Sequence, residues 1–281
     1  MPVLDTPGAA VAYTVSGQGP PLLLVQGVGA IGRTWEPQIE GLSSAYRVAA
    51  FDNRGIGGST IRDGRLTIDD MASDALALAD ALGFERFHLG GHSMGGVIAQ
   101  AIALRAPQRI LSLAFMCTFA RGKQGATMTL PMLLTAVRLR VGTRRSRRNA
   151  FLSLIMPQRY LAGVNRDDLA ARLHPLFGHD LADQAPIAMK QLGAMAKYDA
   201  SDRLATLAGI PTLVVAAHED RIALPRYNRE LAAAIPGARY IEIADAGHGV
   251  TLHRASEVNR LLAEHFAAAA PATGPRSRGR P

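Results

Sequence analysis

Five residues, Gly91-His92-Ser93-Met94-Gly95, constrain this chain more than any other stretch. They set one serine between two glycines, after an apolar run with Phe87 and Leu89 and before a helical pattern carried by Val97, Ile98, Ala101 and Ile102. The predicted order is strand, sharp turn, serine, helix. A serine at such a turn is forced into a sparsely populated backbone region, at a cost of about 1–3 kcal/mol. The flanking glycines have no Cβ, so strand and helix can close around it. The hydroxyl is then held outward, and the Met94 N–H, at the start of a helix, can meet developing negative charge. That outline is a nucleophile elbow, yet a plain glycine turn with an incidental serine reads the same way. A base, an acid and a second oxyanion donor in the right chain order separate the two.

Apolar, β-branched runs alternate with helical patterns along the chain. Strands are predicted at 10–15, 22–25, 47–51, 87–90, 110–116, 212–217 and 239–243, several of them continuous apolar runs suited to parallel strands buried on both faces. Helices are predicted at 34–42, 68–82, 94–105, 226–235 and 256–268. The alternation implies an α/β fold, a mostly parallel central sheet with helices on both faces. It stops between about 119 and 204. Helical patterns at 130–137, 150–155, 167–173 and 185–197, separated by Pro131, Pro157, Pro175 and Pro186, fill that gap. A helical cap (121–204), inserted late in the sheet between core segments 1–120 and 205–270, is the simplest arrangement. It would cover the carboxyl ends of the strands, where open α/β sheets bind ligands. The Pro-, Gly- and Arg-rich tail 271–281 is expected to be disordered.

The formal charge of +8 invites a nucleic-acid reading. It is local, however: Arg138, Arg140, Arg144, Arg145, Arg147 and Arg148 crowd eleven residues, and Arg276, Arg278 and Arg280 lie in the tail. Without these nine, the remaining Lys and Arg balance the Asp and Glu. Two patches without interleaved aromatics read as solvated surface, so no nucleic-acid partner is expected. The single cysteine, Cys117, permits no intrachain disulfide and ends an apolar run, which suits a small buried side chain. Neither a signal peptide nor a membrane span is visible, so a cytoplasmic protein without stable membrane association is expected. The sequence leaves the oligomeric state open.

A serine hydroxyl needs a base within hydrogen-bond reach. Of eight histidines, His248 sits in the glycine-flanked loop Asp245-Ala246-Gly247-His248-Gly249 after the last strand. His88 lies in a strand, and His253 and His265 lie at or in the last helix, as packing or surface positions. His174 and His179 belong to the helical insertion. The base in turn needs an acid to fix its tautomer. Asp220 follows strand 212–217 directly, with Glu219 the nearest rival and Asp245 the next. The position after strand 110–116 reads Met116-Cys117-Thr118-Phe119 and offers no carboxylate. Beside the Met94 N–H, a second oxyanion donor is expected from Gln26-Gly27-Val28-Gly29, where the glycines leave the Val28 N–H free to turn towards the site. His218-Glu219 is too short to suggest a metal site, and no cofactor is called for.

With these residues placed, the chain resembles the α/β-hydrolase fold superfamily, of the type with a helical cap. The resemblance covers about 8–120 and 205–268. It includes the elbow, the turn Asp52-Asn53-Arg54-Gly55-Ile56-Gly57-Gly58-Ser59, Trp35, and Ile210-Pro211-Thr212 before a late strand. It implies Ser93 as nucleophile, His248 as base and then acid, Asp220 as orienting acid in the family's chain order, and Val28 and Met94 as oxyanion donors. One departure is Gln26-Gly27 where many members have His-Gly; the backbone donor survives, but the bonds that hold the loop must differ. Within the superfamily the segments are similar to enol-lactonase-like and polyketide methyl-esterase-like groups. The resemblance implies a serine hydrolase, an esterase or lactonase acting on a small-molecule ester or lactone. The same triad also serves perhydrolase and haloperoxidase chemistry and amide or C–C cleavage, and a non-catalytic receptor can keep the fold. Perhydrolase-type relatives often have an aromatic residue after the oxyanion glycine, whereas this chain has Val28. A lipid-surface reading comes from 130–141, where apolar residues mix with Arg138 and Arg140.

Overall fold

The structure, a computed structural model, describes residues 1–127 and 130–269. The tail 271–281 lies outside the described residues. The chain opens with β1 (Val3–Asp5), β2 (Ala9–Ser16) and β3 (Pro21–Val25), a 3-10 turn at Gly32–Trp35, then α1 (Glu36–Leu42), β4 (Arg47–Phe51) and β5 (Thr60–Ile61). It continues through α2 (Ile68–Ala81), β6 (Phe87–His92), α3 (Met94–Arg105) and β7 (Ile110–Met116). Among the described residues, six helices follow without an intervening strand: α4 (Gly122–Gly125), α5 (Leu130–Arg138), α6 (Arg144–Ile155), α7 (Gln158–Ala162), α8 (Arg166–Phe177) and α9 (Ala188–Ala196). β8 (Thr212–Ala217), α10 (Pro225–Ala234), β9 (Arg239–Ile243), α11 (Val250–His253) and α12 (Ala255–Ala268) complete the described chain.

The strands form one sheet in the order β1-β2-β4-β3-β6-β7-β8-β9, with β5 beside β2. From β4 to β9 every pairing is parallel; β2 is antiparallel to β1, β4 and β5. All six residues of β6 and of β8 are buried, which explains why these strands carry no polar alternation. Register places Val25 beside Gly91 and His92 beside Met116. The residues that leave β3, β6 and β7, namely Gln26, Ser93 and Cys117, therefore emerge at one edge of the sheet. No helix among the described residues is long and apolar enough to cross a membrane.

The Asp52–Ser59 turn is a structural brace. Asp52 accepts from the Gly32 N–H (2.7 Å) and the Gly58 N–H (2.8 Å), and burial raises its carboxyl against those bonds. Arg54 clamps Asp74 through Nε (2.6 Å) and a second nitrogen (2.8 Å), in a pair about 3% exposed on each side. Removing one partner of such a pair strands the other charge in the interior, at a cost of about 3–5 kcal/mol. Asn53 Nδ2 donates to the Gln26 carbonyl (2.8 Å). The brace thus fixes the loop after β3.

The helical insertion departs from expectation in two ways. Pro131 and Pro175 lie inside helices rather than between them: Pro131 is in the first turn of α5, where its missing N–H costs nothing, and Pro175 is in the last turn of α8, which ends at Gly178 with φ 73°. Helix α6 begins at Arg144, not at 150. Its first turns carry four arginines at the positive end of the helix dipole, an unfavourable placement. Arg144 pairs with Asp180 and Asp183, Arg145 with Asp167, and Arg148 with Asp180, whose carboxyl the Arg148 hydrogen bond holds well below the usual range. Thr143 Oγ1 caps the helix by accepting from the Ser146 N–H (3.2 Å).

Candidate active site

Ser93 sits between the end of β6 and the start of α3 with φ 55° and ψ −122°, a strained conformation for a residue with a Cβ. Three bonds hold it there. Its N–H donates to the Met116 carbonyl (3.0 Å), and its carbonyl accepts from Thr118 Oγ1 (2.7 Å) and the Gly96 N–H (2.9 Å). The flanking glycines are required by close approach. A Cβ on Gly91 would meet the Gly95 carbonyl oxygen at 2.4 Å, and one on Gly95 would meet the Val25 carbonyl oxygen at 2.0 Å. Both obstacles are backbone and cannot step aside.

His248 and Asp220 meet at the same edge. His248 Nδ1 lies 2.8 Å from Asp220 Oδ2, and both residues are buried. The other carboxylate oxygen accepts from the N–H groups of Ile222 (2.8 Å) and Ala223 (2.9 Å). Burial works to raise the Asp220 carboxyl, but His248 and these two donors overcome it and keep the group below its ordinary range, hence ionised. Glu219 is half-buried and its N–H ties the acid loop to the Ala246 carbonyl (2.8 Å); Asp245 is exposed and lies 3.7 Å from Arg159. Neither rival bonds His248.

Of the two expected oxyanion donors, Val28 borders the cavity beside Ser93, and Met94 is the first residue of α3, directly after Ser93. Among the described residues the Val28 and Met94 N–H groups carry no hydrogen bond, and Val28, Ser93 and His248 line one cavity of about 510 Å³. Ser93 Oγ and His248 Nε2 open onto this cavity without a hydrogen bond between them, a looseness common before substrate binds. The rest of the lining is chiefly apolar, with Phe119, Phe151, Ile155, Phe177, Leu192 and Leu252 among it, and no carboxylate.

Two residues that hold this geometry, His92 and Gln191, were given no role by the sequence. His92 stands between Gln26 and the histidine loop: its Nδ1 lies 3.1 Å from Gln26 Oε1 and its Nε2 2.8 Å from the His248 carbonyl. Trp35 packs edge-on against its ring. Gln26 Oε1 also accepts from the Gly27 N–H (2.8 Å), and Gln191 Oε1, on α9, accepts from the Gly29 N–H (2.9 Å). These bonds replace whatever a histidine at position 26 would make. The position of His92 inside the elbow pentapeptide was a usable signal; Gln191, 162 residues beyond Gly29, left none. Cys117 is buried, and burial first, then Asp220, raises its thiol well above the ordinary value. One ligand-type atom each of His92, Cys117 and His248 lie within 4.8 Å of one another. His248 spends Nδ1 on Asp220, His92 has both nitrogens against oxygen atoms of Gln26 and His248, and burial keeps the proton on the thiol.

His88, His253 and His265 take packing roles, while exposed His218 pairs with Glu242. His88 Nδ1 meets Ser112 Oγ (2.8 Å), and His265 Nε2 donates to the Leu113 carbonyl (2.8 Å). His253 Nδ1 donates to the Gly249 carbonyl, His174 is exposed, and His179 lines the cavity. Burial lowers His88 to about 4 and His92 to about 3, with a neighbouring histidine adding to each shift. Above pH 6.5 both rings are neutral folded or unfolded. Below it the unfolded chain takes up protons that the native chain refuses, so stability falls as pH drops towards 4. At pH 5 the loss is roughly 2 kcal/mol per ring. The thermal midpoint is expected to fall by about 10 °C between pH 7.5 and pH 5. His88→Gln should reduce that difference; equal midpoints at the two pH values would contradict the assignment.

Comparison with known proteins places the fold. A family model described as alpha/beta hydrolase fold matches residues 20–254. A protein of Azorhizobium caulinodans with the provisional name carbamate hydrolase RutD is 30% identical over 262 residues, 93% of this chain and 97% of its own. BpoC of Mycobacterium tuberculosis, provisionally named a non-heme bromoperoxidase, is 31% identical over 279 aligned residues, 92% of this chain and 97% of its own. The enol-lactonase of Burkholderia xenovorans LB400 superposes with a TM-score of 0.78 at 28% identity, covering 95% of this chain and 100% of that one. These relatives differ in the reactions their names describe and share the scaffold found here. The chain belongs to the alpha/beta hydrolase fold family.

Proposed function

We propose that this hydrolase cleaves a carboxylic ester or lactone through an acyl-enzyme, with Ser93, His248 and Asp220 as its triad. The observation that carries the reading is the 2.8 Å bond from His248 Nδ1 to a buried, ionised Asp220, made beside a strained serine at a helix N-terminus. Asp220 holds the proton on Nδ1, which leaves Nε2 as the base that takes the Ser93 proton. Ser93 Oγ attacks the carbonyl carbon, and the Val28 and Met94 N–H groups receive the oxyanion, each donor worth about 3–4 kcal/mol. His248 passes its proton to the leaving alkoxide, then activates water to release the acid. Helices α4–α9 act as a cap, and its chiefly apolar lining, with Arg140 and no carboxylate, suits apolar groups that carry no cation on either side of the scissile bond.

The test runs three assays on the wild-type chain: p-nitrophenyl butyrate hydrolysis, peracid formation and labelling by a fluorophosphonate probe. Ester turnover with stoichiometric labelling is expected. Peracid formation without ester turnover would replace the hydrolytic reading with a perhydrolytic one. Absence of labelling would leave a ligand-binding protein of the same fold.

A further inference from the structure

Helix α5 shows apolar side chains on two opposite faces. Met132, Thr135 and Ala136, with Leu139 just beyond the helix, line the cavity that holds Ser93. Leu130, Leu133, Leu134 and Val137, at i, i+3, i+4 and i+7, form the other stripe and are 50–70% exposed. Val141, four residues after Val137 and 65% exposed, follows the stripe. No residue of α5 is buried. An apolar stripe of this extent on a solvent face marks an interaction surface.

The charge around the stripe identifies what it meets. Residues 121–204 hold fourteen Lys and Arg against six Asp and no Glu, so the insertion alone carries +8, as much as the whole chain. Arg138, Arg140, Arg144 and Arg145 are exposed at the end of α5 and the start of α6; Arg144 and Arg145 also pair with aspartates, and Arg140 borders the cavity as well. A second copy docking on this face through a two-fold axis would bring two such surfaces together. Nucleic acid would meet the arginines but leave four large apolar side chains without a partner. An anionic lipid surface satisfies both, taking the apolar stripe into the acyl boundary and the guanidinium groups against phosphate.

We propose that the α5 face docks reversibly on anionic phospholipid membranes. The contact is peripheral: one short stripe gives weak, salt-sensitive association, in keeping with the lack of stable anchoring expected from the sequence. It sets the cavity-lining face of the same helix just behind the lipid surface. The docking stands whether or not the esterase reading holds.

Vesicle flotation of the full chain decides. It is expected to float with vesicles of phosphatidylcholine mixed with phosphatidylglycerol at low salt, less at high salt, and not with pure phosphatidylcholine. L133Q/L134Q/V137Q, which spares the cavity lining, should lose binding by about a hundredfold or more; R138Q/R144Q/R145Q should lose about tenfold or more. Retained p-nitrophenyl ester turnover or an unchanged thermal midpoint shows that each variant is folded. No flotation of the wild type at low salt overturns the proposal. So does flotation that survives both variants, which assigns binding to another basic segment such as the one holding Arg276, Arg278 and Arg280. A dimer broken by the leucine variant, without flotation, overturns it in favour of a second copy.

Discussion

Ser93→Ala is expected to lower kcat for p-nitrophenyl butyrate by about a millionfold and to abolish fluorophosphonate labelling, with the fold intact. On the proposed mechanism the size of the effect follows from what remains: His248, Asp220 and the Val28 and Met94 N–H groups stay, but nothing is left to form an acyl-enzyme. The fold survives because the elbow is held by backbone. Its bonds run from the Ser93 N–H to Met116 and from Thr118 and Gly96 to the Ser93 carbonyl, and alanine keeps all three. Alanine also keeps the Cβ, and with it the strain of φ 55°. Ser93→Gly removes that strain and should raise stability by about 1–3 kcal/mol while being equally inactive. Equal thermal midpoints for the Ala and Gly variants would contradict the strain assignment. Residual labelling in either would move the nucleophile elsewhere.

The sheet was legible because strands buried on both faces are written as unbroken apolar runs. The predicted bounds of β4, β7, β8 and β9 match the observed strands residue for residue. β1 and β5 were not legible: three residues and two residues at a sheet margin carry too little pattern. The first turns of α6 were hidden for a different reason. Four arginines in five residues read as solvent, and the pairing of three of them with Asp167, Asp180 and Asp183, far along the chain, leaves no local signal. At the site, chain order and strand ends bring Ser93, Asp220, His248, Val28 and Met94 to one edge. Sequence cannot choose between adjacent acids, because neighbours on a loop point in different directions. Asp220 turns inward to His248 and Glu219 does not. The network of Gln26, His92 and Gln191 depends on contacts between segments that no local pattern records.

Asp220→Asn is the second large effect, and its geometry dictates the mechanism of failure. In the native site Oδ1 accepts from the Ile222 and Ala223 N–H groups, while Oδ2 accepts from His248 Nδ1–H. The asparagine has one oxygen and one NH2. Turning the NH2 towards Ile222 and Ala223 would set donors against donors, so the oxygen stays there and the NH2 faces His248. The imidazole must then present a lone pair at Nδ1 and carry its proton on Nε2, where it cannot accept from Ser93. The expected loss in kcat is about 10⁴-fold. KM should change little, because Asp220 does not line the substrate cavity. Raising pH should restore part of the activity, since hydroxide can take the Ser93 proton that His248 no longer accepts. Asp220→Ala leaves the ring without a forced tautomer, so it should be no worse than asparagine. A kcat for Asp220→Asn within tenfold of wild type would remove Asp220 from the triad. It would point to an acid reaching His248 from Glu219 by rearrangement of the 218–220 loop, a result that Glu219→Gln in the same background would expose.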